Sequence, residues 1–256
     1  AGPEGPETEA LVRAIRSAPS VAGPVGAQIE VTGATAFYID ISQRLNDRLP
    51  VFIAAVVTLS FLLLTAVFRA PLVAAKAALM NLLGIAAAYG VVVAVFQWGW
   101  AKDAIGLEQT VPIISFLPMG LFAVLFGLSM DYEVFILSRI RESWIVERDN
   151  TRAIVHGLSA SARVITAAAA IMFAVFASFV SGESAEIKMF GLGLAVAVLL
   201  DATLIRLLVV PATMRLLGDV NWWIPRWLDR LLPDLDIEGR SPSVNTPDPD
   251  SVGTVS

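Results

Sequence analysis

Four long stretches without a charged residue constrain this chain more than any other feature of its sequence. They cover residues 51–68, 77–99, 111–130 and 164–182, with 18, 23, 20 and 19 residues respectively. A helix needs about 20 apolar residues to cross the hydrocarbon core of a bilayer. A fifth stretch, 189–217, is apolar apart from three charged residues. The sequence therefore predicts five membrane-spanning helices, at about 50–69, 71–99, 111–138, 162–182 and 188–217.

The composition excludes a soluble enzyme. Hydrophobic residues make up 56% of the chain and charged residues 16%, and the mean hydropathy is +0.72. Cysteine is absent and His156 is the only histidine, so neither a disulfide nor a zinc or redox centre is indicated. The acidic residues concentrate near the two ends, and no basic stripe indicates nucleic-acid binding. We expect a membrane protein without enzymatic activity, cofactor or nucleic-acid partner.

The basic residues between the predicted spans are unequally distributed. One set of loops carries seven of them, from Arg69 and Lys76 to Arg163, whereas the other set carries only Lys102 and Lys188. The positive-inside rule places the richer set in the cytoplasm. Arginine, alanine and valine are abundant, which is typical of a bacterium of high GC content. We therefore expect a multi-pass protein of the bacterial plasma membrane, with an extracytoplasmic N terminus and a cytoplasmic C terminus.

The segments around the membrane domain, 50–218, predict further parts. Residues 1–49 combine helical patterns with a strand pattern over 28–32, and we interpret them as the end of an extracytoplasmic α+β domain whose beginning is missing. Residues 140–159 predict an amphipathic helix lying along the cytoplasmic surface. The tryptophan-rich segment 219–238 predicts an interfacial tail helix, and the Ser/Pro/Asp-rich residues 239–256 predict disorder.

Ionisable residues inside the predicted spans are candidates for function, because a charge at the bilayer centre costs at least ~2.5–3.5 kcal/mol. Asp131 lies eight residues before Arg139, roughly 12 Å along a helix and so near mid-membrane. The phenol of Tyr132 can hydrogen-bond an aspartate in either protonation state, and the two residues flank one helix face. This arrangement suits a proton relay. The alternative is an aspartate neutralised by a neighbouring helix for packing alone.

Three more ionisable residues are candidates for ion pairing or coupling. Glu133 points about 200° away from Asp131 on an ideal helix, toward a different neighbour or the interface. Asp201 and Arg206 are five residues apart, whereas side chains on one helix meet at a spacing of three or four. We therefore expect each of these two to pair with another helix, either as a structural contact or as part of coupling.

Two motifs around the candidate relay resemble the MMPL family of the resistance-nodulation-division (RND) superfamily. They are residues 127–135 (GLSMDYEVF) and 138–142 (SRIRE). Residues 163–168 and 201–225 resemble the family's eleventh and twelfth spans, and residues 31–40 resemble the end of its second porter domain. The resemblance covers roughly residues 9–232, with the motifs in family order.

The resemblance implies that this chain is the C-terminal half of a twelve-span transporter and holds spans eight to twelve. In the family, Asp-Tyr pairs on the fourth and tenth spans face each other and couple proton movement to export of lipids or other hydrophobic molecules. Asp131 and Tyr132 match the tenth-span pair, and the second pair belongs to the missing N-terminal half. The implied partners are the lipid bilayer, protons and a lipid or hydrophobic small-molecule cargo, and a homo-oligomer stays open.

Two alternatives to an exporter driven by the proton-motive force remain at this stage. One is a translocation accessory of the same superfamily, similar to SecD/SecF. The other is a membrane scaffold or regulatory subunit, in which the intramembrane acids only pair helices.

Overall fold

The computed structural model of the chain describes residues 6–17, 31–107 and 109–231. The regular elements in these ranges are all helical. The α-helices are α1 (Pro6–Ser17), α2 (Ala34–Phe68), α3 (Pro71–Phe96), α4 (Leu117–Glu147), α5 (Asn150–Ser178), α6 (Ala185–Leu200), α7 (Val210–Leu217) and α8 (Arg226–Leu231). A π-helix (Asp201–Val209) joins α6 to α7, and short 3₁₀ helices cover Lys102–Ile105, Phe179–Ser181 and Gly218–Trp222.

Five helical segments are long and apolar enough to cross a membrane. They are α2, α3, α4, α5 with its 3₁₀ extension, and the continuous helical segment from Ala185 to Trp222. The prediction of five spanning helices is therefore confirmed. In hydrocarbon a backbone must satisfy its own hydrogen bonds, and an apolar helix of this length does so within one segment.

Local sequence sets the connection between the first two spanning helices. Helix α2 ends at Arg69, which adopts a left-handed conformation with φ 50° and donates its backbone N–H to the Thr65 carbonyl at 2.9 Å. Pro71 then opens α3, at a position where its missing N–H leaves no helical hydrogen bond unmade. The two-residue connection makes α2 and α3 a tight helical hairpin.

The prediction of a separate amphipathic helix over 140–159 is wrong. Helix α4 continues through the first eight residues of this range, and the chain then turns at Arg148, which has φ 53°. The Asp149 carboxylate caps the next helix by accepting the backbone N–H groups of Thr151 at 2.9 Å and Arg152 at 3.1 Å. An aspartate at this position starts a new helix. The apolar periodicity over 140–159 therefore belongs to the ends of two long helices.

These two helix ends pack very closely. A Cβ atom added at Gly157 of α5 would lie 2.7 Å from backbone atoms of Ile140 on α4. Glycine permits this approach because it has no side chain, as in many helix pairs of membrane proteins. The amphipathic pattern thus reports a helix-helix contact rather than a membrane surface.

The extracytoplasmic remnant is described only in part. Helix α1 matches the helical pattern expected there, and the Arg16 guanidinium holds it against α2 by contacting the Asp40 carboxylate at 2.5 Å and 3.0 Å. This contact raises the pKa of Arg16 above its ordinary value. Residues 28–30 of the expected strand lie outside the described residues, and Val31 and Thr32 form no strand. The α+β character of this remnant stays a prediction.

The tail after the last span differs from the expected single helix over 219–238. Its described part consists of the 3₁₀ helix Gly218–Trp222, a break around Pro225 and the short helix α8. Arg69 reaches the Asp229 carboxylate at 3.1 Å and so ties α8 to the hairpin of α2 and α3. Residues 232–256, including the segment expected to be disordered, lie outside the described residues.

The interior divides into two apolar clusters. One surrounds Ile136 of α4 and Ile205 of the π-helix, and the other surrounds Leu125 of α4 and Ala197 of α6. Helix α4 therefore passes from one cluster to the other between Leu125 and Ile136. The last span does so between Ala197 and Ile205. Asp131, Tyr132, Glu133 and Asp201 lie in these two crossings, and Arg206 directly follows Ile205.

Candidate functional site

A set of polar side chains lies between the two apolar clusters. Three of its members come from the middle of α4 and two from the π-helix. We call Ser129, Tyr132, Glu133, Asp201 and Arg206 the polar layer. Four of the five residues that the sequence singled out belong to it, and Asp131 does not.

The π-helix brings Asp201 and Arg206 into direct contact. The Arg206 Nε and Nη2 atoms donate to Asp201 Oδ2 at 2.9 Å and 2.7 Å. The expectation that each would pair with another helix is wrong in this respect, because it assumed α-helical spacing. A π-helix forms i→i+5 hydrogen bonds, as between the Ile205 carbonyl and the N–H of Val210, and its wider turn places residues five apart side by side.

Arg206 also connects the π-helix to α4. Its Nη2 donates to the Ser129 carbonyl at 2.7 Å, and its guanidinium carbon lies 5.0 Å from the centroid of the Tyr132 ring. The Ser129 hydroxyl donates in turn to Asp201 at 3.2 Å. Arg206 is only 1% exposed. A guanidinium so deeply buried is tolerated because a carboxylate, a carbonyl and an aromatic face compensate its charge.

A small cavity borders the polar layer. It has a volume of about 20 Å³ and is lined by Ser129, Tyr132, Asp201 and Arg206 together with apolar residues such as Met172. This is room for about one water molecule, which needs 10–15 Å³ and two to four polar partners. The Nη1 atom of Arg206 has no hydrogen-bond partner among the described residues, so it is free to donate a hydrogen bond to such a water.

Tyr132 and Asp131 point in different directions. The Tyr132 ring faces inward beneath Arg206, and its hydroxyl contacts the Met172 sulfur at 3.6 Å. Asp131 is exposed on the outer face of α4. The structure gives no hydrogen bond between the two side chains within the described residues. Adjacent residues on a helix are separated by about 100°, and here that angle separates the interior from the surface.

The surface around Asp131 is otherwise apolar. Val124 and Phe135 on the same face of α4 are 41% and 38% exposed. Gly127, one turn before Asp131, has open space where a side chain would stand. Asp131 is therefore an isolated acid on an apolar helix face of this chain.

Glu133 is buried on the opposite side of α4. It is 8% exposed, and its charge interacts with those of Lys76 on α3 and of Asp201 and Arg206 on the π-helix. Of the two directions expected for Glu133, the structure shows the neighbouring helix and not the interface.

Lys76 is, like Ser129, a residue of this region that sequence analysis missed. It was counted as a loop charge, yet it lies in the second turn of α3 and is 8% exposed. The signal was present in the sequence: Lys76 is the only charged residue between Arg69 and Lys102, and alanines flank it on both sides.

The described residues offer no group of three or more His, Asp and Glu side chains that could hold a metal ion. His156 instead pairs with Glu147 at 2.5 Å, beside the turn between α4 and α5. The polar layer can hold, orient and shield charges in an apolar interior, and Asp131 presents an exposed carboxyl beside it.

Comparison with known proteins identifies the family. The sequence profile of the MMPL family matches residues 1–232. The chain is 42% identical over 238 residues to Membrane protein YdfJ of Bacillus subtilis, covering 93% of this chain and 32% of that protein. It is 40% identical over 241 residues to the Mycolic acid-containing lipids exporter MmpL11 of Mycolicibacterium smegmatis, covering 93% of this chain and 25% of that protein.

A third relative carries a different functional name. The Heme uptake protein MmpL11 of Mycobacterium tuberculosis is 42% identical over 230 residues, covering 90% of this chain and 24% of that protein. The chain thus spans between about a quarter and a third of the length of these relatives. With a family profile that matches residues 1–232, this protein belongs to the MMPL family.

Proposed function

We propose that this chain is the C-terminal half of an exporter that uses the proton-motive force to move lipids or hydrophobic metabolites across the bacterial plasma membrane. The observation that carries the proposal is the isolated Asp131 carboxyl on an apolar face of α4, directly behind the buried polar layer. A transporter needs a proton-binding group that can face different surroundings, and a rigid support that holds it. Asp131 is the proton-binding group, and the polar layer is its rigid support.

The apolar face around Asp131 is where the N-terminal half packs in this proposal. A carboxylate facing lipid at mid-membrane costs at least ~2.5–3.5 kcal/mol, so a protein surface that offers it polar partners is strongly favoured. The family resemblance supplies such a surface, because the fourth span brings a second Asp-Tyr pair opposite the tenth. The open space beside Gly127 allows that helix to approach closely.

Asp131 carries the proton and Tyr132 supports it. A proton crossing the membrane potential releases ~2.3 kcal/mol per 100 mV, and repeated protonation of Asp131 makes that free energy available to the conformational cycle. In this structure Tyr132 lies beneath Arg206 and is turned away from Asp131. In the assembled transporter, Tyr132 serves as a hydrogen-bond partner of the carboxyls in the state in which its ring has left this position.

The proposed orientation places the N terminus outside the cytoplasm and the C terminus inside. Burial removes Lys76 from one set of charges and Lys188, which is 9% exposed, from the other. Six arginines at the proposed cytoplasmic ends of the spans then remain, against Lys102 alone on the other side. The excess of basic residues on which the positive-inside rule depends is therefore kept when the buried residues are left out.

The cargo class follows from relatives rather than from the polar layer. One MmpL11 is named an exporter of mycolic acid-containing lipids, and another is named for heme uptake. Both cargoes are large and hydrophobic, which fits the proposed class. A SecD/SecF-like accessory or a scaffold stays the alternative, and each makes a different experimental prediction.

The test is Asp131→Asn in the full-length parent protein, reconstituted in proteoliposomes with an imposed pH gradient and a fluorescent lipid cargo. We expect at least a hundredfold loss of gradient-driven export with unchanged insertion, in line with the ~10²–10⁴-fold typical of a lost proton-transfer group. Asp103→Asn, an exposed aspartate of the loop after α3, is the matched control and keeps full activity. Export that survives both Asp131→Asn and a protonophore would contradict the proton relay, and a parent protein that exports nothing in this assay would favour the scaffold.

A further inference from the structure

Helix α3 places an ammonium group in the apolar interior, and the proposed relay gives it no role. Lys76 is 8% exposed and lies beside Val73 and Ala77, both of which belong to the apolar cluster around Ile136. Its Nζ atom has no hydrogen-bond partner among the described residues. A buried cation without compensation costs several kcal/mol, so a nearby negative charge stabilises it.

Glu133 is the acid that offsets it. Glu133 is equally buried at 8% exposure, and its Oε1 atom also lacks a hydrogen-bond partner in the described part of the chain. Helices α3 and α4 pack against each other, and the two opposite charges face this contact without forming a direct ion pair in the described residues. The charge of each residue thus compensates the buried charge of the other.

The other groups near Glu133 complete a balanced set. The π-helix contributes Asp201 and Arg206, whose charges also act on Glu133. The buried polar side chains of α2 are Ser60, which donates to the Met130 sulfur, and Thr65, which has no described partner. Two cations and two anions therefore share this part of the interior, and their formal charges cancel.

We propose that Lys76 and Glu133 form a charge-compensating pair that positions α4 and sets the electrostatic field at Asp131. This inference rests on the proposed function, because it assigns the pair to the support of the proton carrier. Glu133 lies two residues from Asp131 and shares its helix, so a shift of α4 that relieved an uncompensated charge would move Asp131 as well. Lys76 and Glu133 are positioning residues and take no proton in the cycle.

A double-mutant cycle in the full-length parent tests the pair. Lys76→Met and Glu133→Gln each leave one buried charge uncompensated, and we expect each to lower gradient-driven export at least tenfold. The double variant Lys76→Met/Glu133→Gln removes both charges and recovers export to within threefold of the parent. A tenfold coupling corresponds to about 1.4 kcal/mol. Additive losses in the double variant would overturn the pair.

The pH profile of export separates electrostatic positioning from packing alone. Loss of the Lys76 charge makes the surroundings of Asp131 more negative, so half-maximal export shifts to higher pH. Loss of the Glu133 charge shifts it to lower pH, and the double variant returns it close to the parent value. Shifts in the same direction, or none, would contradict the assignment.

Lys188→Met is the matched control for loss of a buried lysine. Lys188 donates to the carbonyl oxygens of Ile105 at 2.8 Å and Gly106 at 3.3 Å, and so its charge is compensated by backbone carbonyls. Adding Glu133→Gln to this variant must give no recovery. If a single variant of the pair does not accumulate in the membrane, accumulation of the double variant gives the same answer.

The two proposals fail in different ways. Gradient-driven export that persists in Asp131→Asn overturns the proposed function. The coupling of Lys76 and Glu133 is then still measured by how much of the single and double variants accumulates in the membrane. Additive single losses in a parent that still requires Asp131 overturn only the pair.

Discussion

The guanidinium of Arg206 covers the ring of Tyr132 at 5.0 Å and donates to the Ser129 carbonyl at 2.7 Å. These two contacts bracket Asp131 along α4, one on each side in sequence. The last span, through its π-helix, is thereby fixed to the part of α4 that carries the proposed proton carrier. A movement of one segment must be followed by the other or break the buried hydrogen bond and the cation-π contact of Arg206.

We predict that Arg206→Met destabilises the protein by ~3–5 kcal/mol, because it leaves the Asp201 carboxylate without its cation in an apolar interior. The double variant Asp201→Leu/Arg206→Met should recover a large part of this loss. Thermal unfolding of the parent protein in detergent measures both. Arg215→Met, which removes an exposed arginine of α7, should stay within ~0.5 kcal/mol of the parent. A double variant as unstable as Arg206→Met would contradict this account.

Tyr132→Phe should separate stability from transport. The variant keeps the aromatic face beneath Arg206 and loses only a hydroxyl whose described contact is the Met172 sulfur at 3.6 Å. We expect a stability change within ~0.5 kcal/mol and a fall in gradient-driven export of ~10²-fold or more. Tyr132→Ala should lose stability as well, because the stacking is lost. Full export by Tyr132→Phe would exclude the phenol from the relay.

Gly157→Ala should disrupt the contact between α4 and α5. The new Cβ would lie 2.7 Å from the Ile140 backbone, which cannot move aside as a flexible side chain could. We expect a loss of ~1–3 kcal/mol in unfolding free energy, the usual result of overpacking. Gly90→Ala, in the interior of α3 with open space around it, is the control and should be neutral or slightly stabilising. Equal effects of the two substitutions would argue against the close crossing.

Asn221→Ala should loosen the end of the last span. The fully buried Asn221 side chain donates to the carbonyl oxygens of Met214 at 2.7 Å and Gly218 at 2.6 Å. Its loss leaves buried carbonyls with fewer donors, which costs ~1–3 kcal/mol. We expect a protease to cleave the tail of this variant faster than that of the parent, while membrane insertion stays unchanged. The exposed Asn46→Ala should leave the cleavage rate unchanged.

The spanning helices were accessible from sequence because their signal is local. An uncharged run of about 20 residues has few alternatives to a membrane helix, whatever surrounds it. The error over 140–159 shows where this reasoning stops. Amphipathic periodicity is the same for a helix on a membrane surface and for two helix ends that pack on each other, and only the Asp149 cap and the Gly157 contact distinguish them.

The candidate site was accessible as a set of residue types but not as an arrangement. Sequence identifies Asp131, Glu133, Asp201 and Arg206 because charges in apolar spans are costly. It does not give the π-helix that brings Asp201 and Arg206 together, since a π-helix is a rare departure from the α-helix expected for an apolar span.

The sequence by itself determined the membrane location, the number of spans and the acids worth testing, because hydropathy and charge act residue by residue. The tertiary structure alone decided which charges face each other. It turned Tyr132 inward and Asp131 outward, and it buried Lys76 beside the helix that carries Glu133. The physical reason is that the free energy of a buried charge depends on its neighbours in space, and these come from helices far apart in the chain.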